Sequence, residues 1–393
     1  MKKAVPTKTV FVGMSGGVDS SVAAYLLKKT GYEVIGVFMR CYNIDGCAER
    51  DAEDARRVAG QLHIPFYVWD FEKEYKKRVV DYMVRGYKAG LTPNPDVMCN
   101  REIKFGLFFE KARRLGADFV ATGHYVRLRR KVQNPNNKLQ NGSEERRLFT
   151  AKDANKDQSY FLWTLTQKQL AHCLFPIGGY KKPEVRHIAK RAGLATADKK
   201  DSQGICFLGD ISIRDFLKRY IPEKRGAILA LSEAEGAKTY KKVGEHRGAW
   251  FYTIGQRQGL DLKNKNSALG IRGEHATRPH YVAAKDVKRN IVVVAEGSEN
   301  EALFRKEMSL CDLNFIAPRH SHVLKNTRMA VMARVRYRQP LSQAWLKKIE
   351  NRNEKGRCRY RLVFKKPQKF VAEGQSAVFY SRAGEMLGGG VIV

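Results

Sequence analysis

The stretch Thr9-Val10-Phe11-Val12-Gly13-Met14-Ser15-Gly16-Gly17-Val18-Asp19-Ser20-Ser21 joins a short apolar run to a glycine turn, and the turn to the helix-patterned segment from Val22 to Leu27. A strand therefore feeds a turn that feeds a helix. Adjacent glycines let the backbone come close to a ligand, and Ser20 and Ser21 stand where a helix start offers free N–H groups and a positive dipole end. The stretch reads as an anion cradle. It lacks the Lys-Ser/Thr ending with which a Walker loop reaches terminal phosphates, so an ordinary phosphoryl-transfer P-loop is excluded.

Outward from the cradle, strand-like runs recur at Glu33 to Phe38, Pro65 to Asp70 and Phe119 to Thr122, with helix-patterned segments at Glu49 to Leu62 and Ile103 to Leu115. Alternation of this kind predicts an α/β fold with a doubly wound parallel sheet, whose ligands bind at the carboxyl ends of the strands. Arg127 to Arg147 turns polar and loses apolar periodicity, which predicts a surface insertion. Helices are expected at Gln167 to Leu174 and Pro183 to Ala192. After Gly209 the pattern becomes short alternating runs: Trp250 to Ile254, Tyr281 to Ala284, Ile291 to Ala295, Met329 to Tyr337, Arg359 to Phe364, Ser376 to Tyr380 and Gly389 to Val393. The expected organisation is a catalytic α/β domain over 1–209, a small β-rich domain over 210–277 and a C-terminal β-barrel over 278–393.

The 73 Lys and Arg against 40 Asp and Glu give a formal charge of +33, while 43% hydrophobic residues keep the chain in the globular class. Disorder does not account for the charge; a polyanionic partner such as RNA does. The 7 cysteines are an odd number at irregular spacing, which argues against a disulfide framework and for a reducing compartment. Neither a signal peptide nor a membrane-length apolar stretch is evident, so a cytoplasmic location is expected.

Two cysteines stand out. Cys99 follows Thr92-Pro93-Asn94-Pro95-Asp96-Val97-Met98, where two prolines stiffen the approach and Asp96 reads as a helix N-cap. This puts Cys99 in the first helical turn, where the dipole favours a thiolate; a buried structural cysteine is the alternative. Cys206 lies in Asp201-Ser202-Gln203-Gly204-Ile205-Cys206-Phe207-Leu208-Gly209, at the expected junction of α/β and β domains. Arg334, Arg336 and Arg338 alternate along one expected strand, as do Arg357, Arg359 and Arg361, giving stripes suited to phosphates.

These phrases, with Ala121-Thr122-Gly123-His124-Tyr125, Lys156-Asp157-Gln158-Ser159-Tyr160 and Thr253-Ile254-Gly255-Gln256-Arg257, run in one order over nearly the whole chain. Together they resemble the tRNA-specific 2-thiouridylases, and S-G-G-V-D-S resembles the pyrophosphate loop of the N-type ATP pyrophosphatases. The resemblance implies that Gly13, Met14, Ser15, Gly16, Gly17, Val18, Asp19 and Ser20 bind ATP phosphates, with Met39 and Gly123 in the nucleotide pocket. It implies that Asn94, Pro95 and Asp96 meet the target base, that Cys99 is the nucleophile and that Cys206 carries a persulfide. It further implies that His124, Lys156, Asp157, Gln158, Arg336, Tyr337 and Gln375 meet tRNA.

The implied reaction is ATP-dependent 2-thiolation of the wobble uridine, with the uracil C2 oxygen adenylated and sulfur supplied by the persulfide. Asp96 is a candidate for acid–base work or for orienting the ring. ATP, Mg2+, tRNA and a persulfide donor are the expected cofactor and partners; Asp19 is the nearest carboxylate for Mg2+, with a capping role equally open. Asp96, Cys99 and Cys206 could instead ligate an iron–sulfur cluster if they converge. Two rival readings are an adenylating ligase or amidotransferase acting on a small acid, and a non-catalytic RNA-binding module; the two cysteine motifs count against the first and the intact glycine loop against the second.

Overall fold

The computed structural model describes residues 7–41, 46–131, 145–201, 211–234, 237–262, 278–317, 328–349 and 360–393. Strands β1 (Thr9–Gly13), β2 (Glu33–Arg40), β3 (Phe66–Asp70) and β4 (Phe119–Thr122) form a parallel sheet, with α1 (Val18–Lys29) and α2 (Cys47–Gln61) as the first two crossovers. The Cys173–Leu174 strand completes the order β3-β2-β1-β4-edge. Val10 and Val12 are fully buried and Phe11 nearly so, because helices cover both faces of the central strand. The chain winds outward from β1 to β3 and then crosses back to β4. The order of winding thus reverses between β1 and β4, which remain parallel, and the switch point lies there at the carboxyl ends of the strands.

Helical turns follow one another from Glu72 to Lys88 and from Pro95 to Arg114, with wider i+5 turns at Lys76–Val80 and Asn100–Phe108. The helix expected over Gln167 to Leu174 ends at Leu170. Cys173 and Leu174 instead pair with Val120 and Ala121, since the open edge of β4 takes a partner more readily than the helix takes another turn. The stretch read as an insertion begins and ends in paired strands, Arg127–Lys131 with Glu145–Phe149, while its centre lies outside the described residues.

A second sheet contains Gly226–Ala234, Ala237–His246, Asp261–Leu262, His280–Asp286 and Ile291–Glu296. The last of these lies parallel to the first. A division at 277 would therefore cut through one sheet, because Ile291–Glu296 pairs with Gly226–Ala234 and His280–Asp286 pairs with Ile291–Glu296, neither joining the barrel. The barrel is closed by six strands: Phe304–Phe315, Tyr360–Lys369, Ser342–Lys348, Met329–Arg334, Ser376–Tyr380 and Met386–Ile392. A strand was expected at Trp250 to Ile254, but Ala249–Phe251 forms one tight helical turn, held by the Asn290 side chain accepting from the Ala249 N–H.

The arginine stripe also resolves differently. The strand ends at Arg334, Gln339 closes a turn on Val335, and Arg338 has φ +64°, so Arg334, Arg336 and Arg338 do not share a strand face. Arg334 points inward and is buried. Of the second stripe, Arg361 pairs with Glu307 at 3.6 Å, and Arg357 and Arg359 lie outside the described residues. One apolar core runs through all three parts, from Phe11 and Cys99 through Val282 to Val378 and Tyr380.

Candidate functional site

The glycine loop lies at this switch point, beside β1. A Cβ on Gly13 would stand 2.9 Å from the Met39 methyl and 3.6 Å from the Phe108 ring, so a side chain there would push the Met39 end aside. Gly16 has φ +70°, and a Cβ there would meet the Asp51 carbonyl oxygen at 2.2 Å; α2 seals the loop from that side. Gly17 is extended, is the N-cap of α1 and contributes no side-chain acceptor to the first helical turn. Its would-be Cβ has only Ser15 Oγ nearby, at 3.6 Å.

The hydroxyls brace the loop itself. Ser15 N–H donates to Ser20 Oγ (3.1 Å), while Ser20 and Ser21 hydroxyls both donate to the Gly17 carbonyl (3.1 and 2.9 Å). Gly123, at the end of β4, packs so tightly that a Cβ would fall 2.6 Å from the Ser20 nitrogen. The result is a rigid turn with an uncapped 12-residue helix behind it and an exposed Ser15 in front. Backbone donors at an uncapped helix start, approached through glycine, fit the phosphates of a nucleotide.

Asp19 is not a cap. Its carboxylate accepts from Lys182 Nζ at 2.7 and 2.9 Å and from the Tyr125 hydroxyl at 2.7 Å. Lys182 also pairs with Asp201 at 2.8 Å, and Asp201 pairs with Lys156 (2.6 Å) and Arg186 (2.8 Å). Partial burial pushes the Asp201 carboxyl up, but hydrogen bonds from Lys156 and Lys182 outweigh it and hold it at about 2. Burial and the neighbouring Asp19 charge push the Tyr125 hydroxyl far up, so it stays a donor. Arg186 additionally donates to the carbonyls of Ala197 and Lys199, and Lys199 bridges Asp51 and Asp54 at 2.6 Å each. The segment running up to Asp201 thus grips both flanks of the loop. Sequence reasoning missed Lys182 and Asp51; only the helical phase of Lys182–Arg191 against α1 brings the lysine inward.

The loop before Cys99 is organised from the barrel. Gln375 Nε2 donates to the Thr92 carbonyl (3.0 Å) and Thr92 N–H donates to the Glu373 carbonyl (2.7 Å). Asn94, and not Asp96, is the N-cap, accepting from Val97 N–H at 3.1 Å, with Pro95 at the first helical position. Cys99 consequently lies two residues further into the helix than the sequence suggests and is buried at 4% exposure. Asp96 and Met98 are partly exposed on either side of buried Val97. Next to Cys99, Asn100 is buried, donates to the Phe161 carbonyl at 3.3 Å and has no partner for its Oδ1. Cys206 lies outside the described residues, and with it the convergence that an iron–sulfur cluster would need. Among the described residues no group of three His, Cys, Asp or Glu side chains could hold a metal ion.

The residues implied to meet tRNA fall into two groups. Lys156, Arg336, Tyr337 and Gln375 are partly exposed. Tyr337 packs on Phe161 with ring centroids 4.5 Å apart, and Arg336 lies 5.7 Å over Phe370. His124 and Asp157 are buried. His124 sits between Phe105 and Phe175, its Nδ1 2.7 Å from the Thr122 hydroxyl, and burial followed by the Lys104 charge holds it neutral. Asp157 accepts from Arg334 and from Ser159, and Arg334 also donates to Tyr380 at 2.8 Å. Gln158 accepts from Tyr125 N–H. His124 and Asp157 belong to the framework beneath the exposed group, and Gln158, itself partly exposed, is tied to it through Tyr125.

A phosphate cradle at the switch point of a doubly wound sheet, followed by a second β domain and a closed barrel, defines a nucleotide-binding α/β enzyme with two appended β modules. Three families match in that order: a tRNA methyl transferase HUP domain over residues 8–210, a tRNA methyl transferase PRC-barrel domain over 214–296 and an aminomethyltransferase beta-barrel domain over 305–392. The tRNA-specific 2-thiouridylase MnmA of Streptococcus pyogenes is 43% identical over 390 residues, covering 98% of this chain and 94% of that protein. The protein of the same name from Geobacillus thermodenitrificans is 43% identical over 397 residues, covering 100% and 96%. The chain belongs to the family of tRNA-specific 2-thiouridylases. A solved complex of a 4-thiouridine synthetase with RNA and ATP aligns over 55% of this chain and 50% of that one at 21% identity, with a TM-score of 0.34.

Proposed function

We propose that the protein is an ATP-dependent tRNA-uridine 2-sulfurtransferase acting on the wobble uridine. One observation carries this reading beyond the family: a single helical run begins at the Asn94 cap under Gln375 of the barrel, carries Cys99, and continues to Phe108 beside Gly13 of the cradle. Base-facing loop, nucleophile and nucleotide loop are thereby tied to one element.

The chemistry follows. The uracil C2 oxygen attacks the α-phosphorus of ATP, the bond to the β-phosphate breaks, and pyrophosphate is left in the cradle against the N–H groups of α1. A persulfide on Cys206 then supplies the sulfur. In one route its terminal sulfur adds at C2, AMP departs, and the Cys99 thiolate attacks Cys206 Sγ to release 2-thiouridine. In the other, Cys99 attacks first and the hydrosulfide released adds at C2. Both end in a Cys99–Cys206 disulfide that two electrons from a thiol reductant reset. Asp96, partly exposed one turn before Cys99, is the candidate for acid–base work or for orienting the ring.

Mg2+ would accompany the ATP phosphates and offset their charge, and Asp19, now held by Lys182 and Tyr125, is the carboxylate that would meet it. tRNA is the substrate, a persulfide-bearing protein is the sulfur donor, and a reducing cytoplasm suits the thiols. No helix among the described residues is long and apolar enough to cross a membrane. The test is mass spectrometry of nucleosides from unmodified tRNA incubated with protein, Mg-ATP and a persulfide donor. 2-Thiouridine should form with wild type and be absent with Cys99→Ser, which should still accept a persulfide at Cys206. Product formation by Cys99→Ser would refute the two-thiol scheme.

A further inference from the structure

The chain of charges Asp19–Lys182–Asp201–Lys156 joins the nucleotide loop to an exposed lysine by contacts of 2.6 to 2.9 Å. Lys182 is nearly buried, with its side chain 10% exposed, and is shared between two carboxylates. The Lys156 side chain is 30% exposed, and Asp201 is held from a third side by Arg186. Lys182 is shared by two carboxylates and Asp201 by three cations, so strengthening one contact weakens the next.

We propose that these four residues form a relay through which an RNA phosphate at Lys156 tightens Mg-ATP in the loop, and Mg-ATP in turn tightens RNA. This inference rests on the sulfurtransferase reading. A phosphate that takes Lys156 withdraws a cation from Asp201. Asp201 then draws Lys182 toward itself, and Asp19, relieved of its counter-ion, turns its carboxylate to the Mg2+ on the nucleotide. In the reverse direction, Mg2+ at Asp19 displaces Lys182 toward Asp201 and loosens Lys156 for RNA. The sign is the same both ways, as thermodynamic linkage requires. A relay of opposite sign would follow if an ATP phosphate took Lys182 directly, because Asp201 would then hold Lys156 more firmly. The two-oxygen contact between Lys182 and Asp19 favours the first arrangement: the carboxylate has to be released before a cation reaches it.

Lys182, Asp201 and Lys156 are thus positioning residues for ATP use, and the readout is binding. The experiment measures the affinity of the full-length protein for α,β-methylene-ATP with Mg2+, alone and with saturating unmodified tRNA transcript. Wild type should bind the analogue about 5- to 20-fold more tightly with tRNA. The gain should vanish without Mg2+, and should fall below about twofold in Asp201→Asn and in Lys156→Gln. Lys156 is at the surface, so its variant keeps the test decisive if Asp201→Asn fails to fold. A full gain in either folded variant, or weaker analogue binding with tRNA in wild type, overturns the relay. Wild-type protein that binds both ligands without coupling overturns the relay alone; protein that binds neither overturns the functional reading with it.

Discussion

The Gln375 amide donates to the Thr92 carbonyl at 3.0 Å across 283 residues of chain, so the C-terminal barrel sets the geometry of the loop that presents Asn94, Asp96 and Cys99. Replacing Gln375 with Ala removes this bond, worth about 1 kcal/mol, and a longer one of 3.5 Å accepted from the Tyr160 hydroxyl. Single-turnover thiolation should slow by about three- to tenfold, with Mg-ATP affinity unchanged. Measuring both separates loop positioning from a general loss of structure. Equal losses in the two would place the fault outside the loop.

A stronger link between the same two domains is the buried pair Arg334–Asp157, with side chains 6% and 4% exposed. Asp157→Ala strands a guanidinium among Tyr160, Ser159 and Tyr380, and unfolding in urea should show a loss of about 3–5 kcal/mol. The double variant Asp157→Leu with Arg334→Met removes both charges and should recover most of that loss. Failure to recover would assign the cost to the surrounding hydroxyls.

The two loop glycines should separate. Gly16 combines a left-handed backbone with a blocked Cβ position, whereas Gly17 has neither constraint. Gly16→Ala should weaken Mg-ATP binding by at least the ~1–3 kcal/mol of backbone strain. Gly17→Ala should change it little, because only Ser15 Oγ lies nearby. Pyrophosphate release in the presence of tRNA, assayed for both variants, checks the contrast.

The cradle and its sheet are legible in the sequence because their signals are local: an apolar strand, three glycines and the start of a helix within thirteen residues. The elements that read wrongly are those settled by distant partners. Trp250 to Ile254 has the composition of a strand but is drawn into a turn by Asn290. Met329 to Tyr337 alternates as a strand should, yet Gln339 ends it early, and Arg334 turns toward Asp157, 177 residues away. Lys182 left no motif of its own, since its role depends on one helix lying against another. Asp157 could be placed by resemblance but not by burial, and its side chain belongs to the junction between domains.

Two groups should make stability depend on pH in separate windows. His124 is held neutral when folded but protonates near 6.5 when unfolded, so the unfolded state binds more protons below that value. Stability is then lost as pH falls below 6.5, and His124→Gln should flatten that limb. Asp201 has its carboxyl at about 2 when folded against 3.8 ordinarily, so its contribution is present above 3.8 and disappears as pH falls toward 2. The difference between wild type and Asp201→Asn should shrink across that lower window only. Urea midpoints at a series of pH values check both.

The grip on RNA should reside in the exposed residues and not in the buried ones. Each phosphate contact contributes about 0.7 to 0.9 to the slope of log affinity against log salt. Arg336 lies over the Phe370 ring, and burial lowers its basicity without removing its charge. If it meets a phosphate, Arg336→Ala lowers both affinity and slope. Tyr337 stands on Phe161, whose carbonyl accepts from Asn100 beside Cys99, so a base stacked on Tyr337 would be tied to the helix that carries Cys99. Tyr337→Phe keeps the ring and should change little, whereas Tyr337→Ala should cost about 1–3 kcal/mol of tRNA binding without altering the slope. His124→Gln changes no exposed charge and should leave the slope as it is. A salt titration of tRNA binding across these four variants distinguishes the roles. Unchanged affinity and slope in both Arg336→Ala and Tyr337→Ala would move the RNA contact away from this turn of the barrel and toward Lys156.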